Sequence, residues 1–143
     1  MPVVTTVSNH AKYQIVAGNI DFSSDVFKAI LLNTTFAFDK DSHATLADVS
    51  SSQISNGNGY TQNDKTLTGV SILENDTDDK ATISWSDPTW TASGGSIGPF
   101  GAMIIYDDTT ADDAVVFCVD FGVDYTIPDT GGFEPQGIEI QVS

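Results

Sequence analysis

Two apolar stretches, Gly101–Tyr106 (GAMIIY) and Ala114–Phe121 (AVVFCVDF), decide the fold of this chain. Each is nearly continuously hydrophobic, which predicts strands that are buried on both faces or central in a sandwich. The segment between them, Asp107–Asp113, is polar and rich in aspartate, so it predicts a surface loop. The unit therefore indicates two strands at the centre of a β-rich core.

Further strands are predicted on either side of this unit. Phe27–Leu32 is a short apolar run that a polar turn follows. Leu67–Leu73 and Lys80–Ser86 both alternate and flank the acidic turn Glu74–Asp79, which predicts a hairpin. Gly137–Val142 alternates as a last strand. Short strands at this spacing predict an all-β fold, either an antiparallel β-sandwich or a small barrel.

One short N-terminal helix is predicted over Ser8–Gly18. Ser8 or Asn9 can cap its first turn, and Gly18 is a natural terminator. The preceding residues, Met1–Val7, are expected to form an extended N-terminal arm. Because residues 1–143 contain neither a fixed repeat nor an interdomain linker, we predict a single β-sandwich domain.

The charge balance excludes several classes of partner. The 143 residues hold five basic side chains, all lysine, against twenty acidic ones, for a formal net charge of −15. Binding to nucleic acid or to an anionic membrane surface requires clustered Lys and Arg, so neither is expected. Ala114–Val119 is the longest apolar run and is far too short to span a bilayer. The start of the chain has no secretory signal pattern, which predicts synthesis in the cytoplasm.

Residues typical of catalysis are sparse in the sequence. His10 and His43 are far apart and show no metal-binding spacing. Cys118 lies inside an apolar run, which predicts a buried, inert thiol, and a lone cysteine permits no internal disulfide. No nucleophile motif or phosphate-binding loop is present, so we do not expect an enzyme or a bound organic cofactor.

Two features suggest a binding site. Asp107, Asp108, Asp112 and Asp113 bracket one loop and could converge on Ca²⁺, because hard cations favour clustered carboxylates; the alternative is a solvated acidic turn. Trp90 could be exposed and stack on a glycan, whereas the strand phase of Trp85 predicts burial in the core.

Three groups of segments carry a resemblance to a known family. The first comprises Ser8–Gln14, Gly18–Phe22 and Phe27-Lys28; the second Asp39–His43, Asp48–Ser50, Gly57–Thr61 and Leu67–Gly69; the third Trp90–Ala92, Gly101–Asp108 and Val119–Gly122. Together they resemble a family of small virion structural proteins from tailed bacteriophages, over nearly the whole chain. These motifs consist of turn and core residues, so they bear on the fold more than on a biochemical role.

The resemblance implies a non-enzymatic capsid decoration (cement) protein on the outer face of the shell. Its expected partners are the major capsid protein and further copies of itself, for example in a trimer. The N-terminal residues Pro2, Val3 and Val4, with Tyr13 on the helix, are the expected contact residues, because an extended arm can add to a neighbouring sheet. The alternatives are a neck, tail or fibre-base component, or a Ca²⁺- or glycan-binding module for host attachment.

Overall fold

The computed structural model of the protein describes residues 3–143, and its strands and helices run in the following order. They are β1 (Val4–Val7), α1 (Asn9–Val16), β2 (Phe27–Leu32), α2 (Leu46–Val49), β3 (Lys65–Thr66), β4 (Ser71–Asn75), β5 (Lys80–Ser84), β6 (Trp90–Thr91), β7 (Ile97–Asp107), β8 (Val115–Ile127), β9 (Gly132–Phe133) and β10 (Glu139–Val142). A turn of 3-10 helix, Ser50–Ser52, follows α2. The predicted all-β fold with a short N-terminal helix is confirmed, and its antiparallel sheets pack together.

The main sheet has five strands in the order β1-β8-β7-β2-β3. The two apolar stretches of the sequence lie in β7 and β8, which pair as an antiparallel hairpin with Ile104 opposite Cys118. Strand β2 pairs with the other edge of β7, with Ile30 opposite Ile104. The predicted central position of these strands is therefore confirmed.

Both faces of the main sheet are covered, which explains the continuous hydrophobicity of its strands. Met103 and Ile105 of β7 belong to the larger core cluster, which also includes Ile83 and Ile140 from the second sheet. The intervening Ile104 points to a smaller cluster on the opposite face. Because successive side chains of a strand alternate between faces, a strand buried on both sides has no polar positions.

The predicted hairpin around the acidic turn forms the second sheet. Strands β4 and β5 pair antiparallel, β10 adds to the far side of β5, and the order is β10-β5-β4. The first strand begins at Ser71 rather than at the predicted Leu67. Leu67 instead donates its amide to the carbonyl of Phe27, and Gly69 has a φ of +67°, which breaks the extended conformation. A small third sheet pairs β6 with β9.

The N-terminal helix forms as predicted, and a second, shorter helix lies further along the chain. The Ser8 hydroxyl accepts a hydrogen bond from the amide of Ala11, and Gly18, with a φ of +80°, follows the helix end. The short α2 begins after Thr45, whose amide donates to the carboxylate of Asp48, as in a capping box.

The expected N-terminal arm is corrected in part. Val4–Val7 is a strand of the main sheet, because it pairs with β8 over four residues from Val4–Asp120 to Val7–Phe117. Strand β1 is an edge strand, so one side of its backbone has no neighbouring strand among residues 3–143. The expected contact residue Pro2 lies outside the described residues.

Candidate functional site

The four aspartates at the end of β7 and in the loop that follows it do not share one set of contacts. Asp108 lies 3.1 Å from the ammonium group of Lys28, and Asp112 lies 2.8 Å from Nε2 of His10. Asp113 takes the left-handed conformation with a φ of +50°. The side chains of neighbouring loop residues are thus directed to different elements, and the predicted convergence of these carboxylates is not observed.

Asp107 differs from the other three because it is fully buried. Its Oδ1 accepts a 2.9 Å hydrogen bond from the amide of Thr109, whereas its Oδ2 has no hydrogen-bond partner within the described residues. Burial raises the pKa of Asp107 from 3.8 to about 7, and the neighbouring carboxyl group of Asp25 adds to this shift. Asp107 is therefore a buried turn residue at the start of the loop. It retains its proton well above pH 3.8, the ordinary pKa of an aspartate.

The predicted calcium site is not supported by this geometry. Across residues 3–143, no three His, Cys, Asp or Glu side chains come together in a way that could hold a metal ion. The aspartates are explained by turn hydrogen bonds and single ion pairs, because Asp is favoured in turns for the bonds it makes with its own backbone.

Both tryptophans lie in the core, and the predicted exposure of Trp90 is wrong. Trp90 is 2% exposed, because β6 pairs it with Phe133 of β9 and Lys65 covers its ring at 5.4 Å from the centroid. Trp85 is buried as predicted and contacts the ring of Phe117 with a centroid distance of 5.9 Å. Neither indole ring is available for stacking on a glycan.

The side chains of His43 and Cys118, which are residue types often found in catalytic sites, have structural contacts here. The Nδ1 atom of His43 accepts a hydrogen bond from the amide of Asp39, and its ring stacks on Phe36. Cys118 is buried as predicted, and burial raises the pKa of its thiol to about 12.

An open cleft runs along the free edge of β1, opposite the C-terminal residues 134–143; we call it the β1–β10 cleft. One section has a volume of about 310 Å³ and brings Val3 and Thr5 opposite the segment Glu134–Ile138. A middle section of about 390 Å³ places Thr5 and Val7 opposite Glu139 and Gln141, and a section of about 610 Å³ continues to the C-terminal residue. The cleft therefore lies between an edge of the five-stranded sheet and an edge of the three-stranded sheet.

The section of about 610 Å³, the largest of the three, is bordered by two lysines. Lys12 on α1 and Lys40 both line it. Within residues 3–143, the ion pairs of lysine involve Lys28 and Lys80, and Lys65 donates to a backbone carbonyl. Lys12 and Lys40 make no ion pair there, so two unpaired ammonium groups border this end of the cleft on an acidic molecule.

The expected contact residues that the structure describes are all exposed. Val3 is 61% exposed, Val4 51% and Tyr13 66%, which are high values for large apolar side chains. Val3 lines the β1–β10 cleft, whereas Tyr13 lies on the helix that borders it. These residues were expected to contact a partner. Of them, Val3 lines the cleft, whereas the ring of Tyr13 stacks on His10, whose Nε2 lies 2.8 Å from Asp112.

Sequence reasoning missed the cleft itself and the residues of its second wall. Glu139 and Gln141 carry no local signal, because their role depends on which strand edge lies opposite them. The exposed, β-branched composition of Val3–Val7 was the available signal on the first wall.

Comparison with known proteins gave no relative for this chain. Neither a family model, nor a curated protein, nor a solved structure matches it. Among the described residues, no helix is long and apolar enough to cross a membrane.

Proposed function

We propose that the chain is a non-enzymatic structural protein of a tailed-bacteriophage virion, and that it decorates the outer face of the capsid shell. The sequence segments that resemble small virion structural proteins support this proposal. The observation that carries it is the β1 surface, where a free strand edge, an open cleft and exposed apolar side chains lie together. Such an edge is a ready site for pairing with a strand of another protein.

The mechanism is stabilisation by mass action. A protein that binds only the assembled, expanded shell lowers the free energy of that state and therefore delays its rupture by the packaged DNA. The net charge of −15 fits the exterior of a particle, because like charges make the particles repel one another. A protein on the exterior also makes no contact with the genome, so it needs no basic surface.

The test compares particles made with and without the protein. We expect particles that lack it to release DNA at a lower temperature, as measured by a dye that fluoresces on free DNA. Added purified protein should restore the release temperature of the native particle. An unchanged release temperature would contradict the proposal that the protein decorates and stabilises the shell.

A matched pair of variants locates the contact. Val3→Asp should abolish the restoration, because it places a charge on the apolar part of the β1 surface. Val70→Asp should restore as well as the native chain, because Val70 is 38% exposed beside β4, at the far edge of the second sheet. Equal behaviour of the two variants would exclude the β1 surface as the contact.

A further inference from the structure

We propose that the β1–β10 cleft binds one extended peptide segment of a partner protein, which is inserted as a strand between β1 and β10 and carries carboxylates at its amino end. Only the identity of the partner, a protein of the capsid shell, rests on the proposed function. The binding chemistry follows from the two strand edges and the charges around them.

The hydrogen bonds beside β1 show which of its backbone groups face the cleft. The amide of Ser8 donates to the carbonyl of Val116 at 2.9 Å, and Ser8 continues the β1–β8 register. In an antiparallel ladder every second pair exchanges hydrogen bonds, so Thr6 and Val4 bond to β8. The amide and carbonyl groups of Thr5 and Val7 must therefore point to the free edge.

The same reasoning applies to β10. The amide of Trp85 donates to the carbonyl of Ile138 at 3.0 Å, and this pair continues the β5–β10 register. Ile140 therefore bonds to β5, whereas the backbone groups of Glu139 and Gln141 point away from it. Thr5, Val7, Glu139 and Gln141 are four of the six residues that line the middle of the cleft, together with Gly137 and Ile140. Two rows of outward-facing backbone groups thus border one cleft.

The two strands run in the same direction along the cleft. Val3 lies in the section with Glu134–Ile138, and Val7 lies in the section with Ile140–Ser143. A single inserted strand can therefore pair antiparallel with both of them, which is the slightly more stable arrangement. Its amino end would then lie at the section of largest volume, between α1 and the end of β10.

The charged residues along the cleft indicate which residues the bound segment carries. Lys12 and Lys40 border the section of largest volume and have no acidic partner among residues 3–143, whereas Glu139 lies in the middle section and Glu134 at the other end. A segment with carboxylates at its amino end is attracted to the lysines. The half-buried Ile15 and the buried Ile140 line the same section, so the residues that follow are apolar at alternate positions.

The test uses a synthetic probe peptide, acetyl-EDTVTVT-amide, with acetyl-KKTVTVT-amide as the charge-reversed control. We expect saturable binding of the probe, followed by fluorescence anisotropy of a labelled copy, and amide NMR shifts centred on Thr5, Val7, Glu139 and Gln141. The charge-reversed peptide should bind at least about tenfold more weakly. The Thr5→Pro variant should also lose about tenfold in affinity, because proline removes an outward amide.

Lysine variants complete the test. The double variant Lys12→Gln and Lys40→Gln should weaken binding of the probe, whereas Lys80→Gln, on the β4–β5 hairpin, should bind it as the native chain does. Absence of saturable binding up to millimolar peptide, equal binding of both peptides, or shifts away from the cleft would overturn the proposal. Such a result would exclude strand insertion into the cleft. It would not bear on the proposed virion function, which the experiments on particles test separately.

Discussion

Thr6 of β1 lies directly opposite Cys118 of β8, at a position where the two backbones exchange hydrogen bonds, whereas its neighbour Thr5 turns its amide to the cleft. Substitution by proline distinguishes the two positions. We expect Thr6→Pro to lower the free energy of unfolding by about 2–3 kcal/mol, because it removes a ladder hydrogen bond. Thr5→Pro should cost less than about 1 kcal/mol, because proline is tolerated on an edge strand where its nitrogen faces solvent.

Chemical denaturation of the two variants measures this difference. Equal losses of stability would contradict the assignment of the outward-facing groups, and with it the basis of strand insertion. The comparison needs no partner protein.

Asp107 makes the stability of the fold dependent on pH. The folded protein keeps a proton on Asp107 up to pH about 7, whereas the unfolded chain releases it near the ordinary value of 3.8. The contribution of Asp107 to the free energy of unfolding therefore falls as the pH rises from about 4 to about 7. We expect Asp107→Asn to be more stable than the native chain at pH 8, by roughly 1–3 kcal/mol, with a smaller difference at pH 5.

Asp76→Asn is the control for this effect, because it makes the same change of charge in the exposed β4–β5 turn. It should change the stability little and without a similar pH dependence. The measurement is denaturant unfolding across pH 4.5–8.5. A difference between Asp107→Asn and the native chain that does not grow with pH would refute the buried, protonated state.

Gly59 occupies a position that other residues cannot take without strain. Its φ is +104°, and a Cβ atom there would overlap the carbonyl oxygen of Thr91. We expect Gly59→Ala to destabilise the fold by about 2–4 kcal/mol. Gly18 also has a positive φ, of +80°, but nothing lies within 4 Å of an added Cβ, so Gly18→Ala should cost only about 1 kcal/mol. Thermal unfolding of both variants measures which one loses more stability. A larger loss of stability in Gly18→Ala than in Gly59→Ala would contradict this prediction.

Cys118 should be unreactive in the folded protein. It is buried in the smaller core cluster, and burial, followed by the charge of Asp120, raises its thiol pKa to about 12. We expect an aromatic disulfide reagent at pH 8 to label it only as fast as the chain unfolds, and fully in denaturant. Complete labelling within minutes, with the native circular dichroism retained, would contradict its position in the core.

The sequence was sufficient to predict the elements whose burial follows a simple pattern. The strands around Ile104 and Cys118 are apolar on both faces because both faces are covered, so their composition alone indicates a central position. The hairpin around Glu74–Asp79 and the helix after Ser8 depend on local turns and caps, which a short stretch of sequence contains.

The features that depend on distant pairing could not be predicted. Trp90 is buried because a two-residue strand pairs it with Phe133, and so short a strand has no periodicity to detect. The loop aspartates follow one another in the chain, yet a tight turn directs Asp108 to Lys28 and Asp112 to His10. The β1–β10 cleft exists only once two sheets have packed, so its walls share no motif.

The most direct test of the proposed function is the number of copies of this protein in purified virions. Quantitative mass spectrometry, with the major capsid protein as internal reference, gives that number. We expect an amount close to that of the major capsid protein, as a decoration of the shell requires. A few copies per particle would contradict decoration and favour the neck, tail or fibre base, and complete absence from the particle would contradict the virion function altogether.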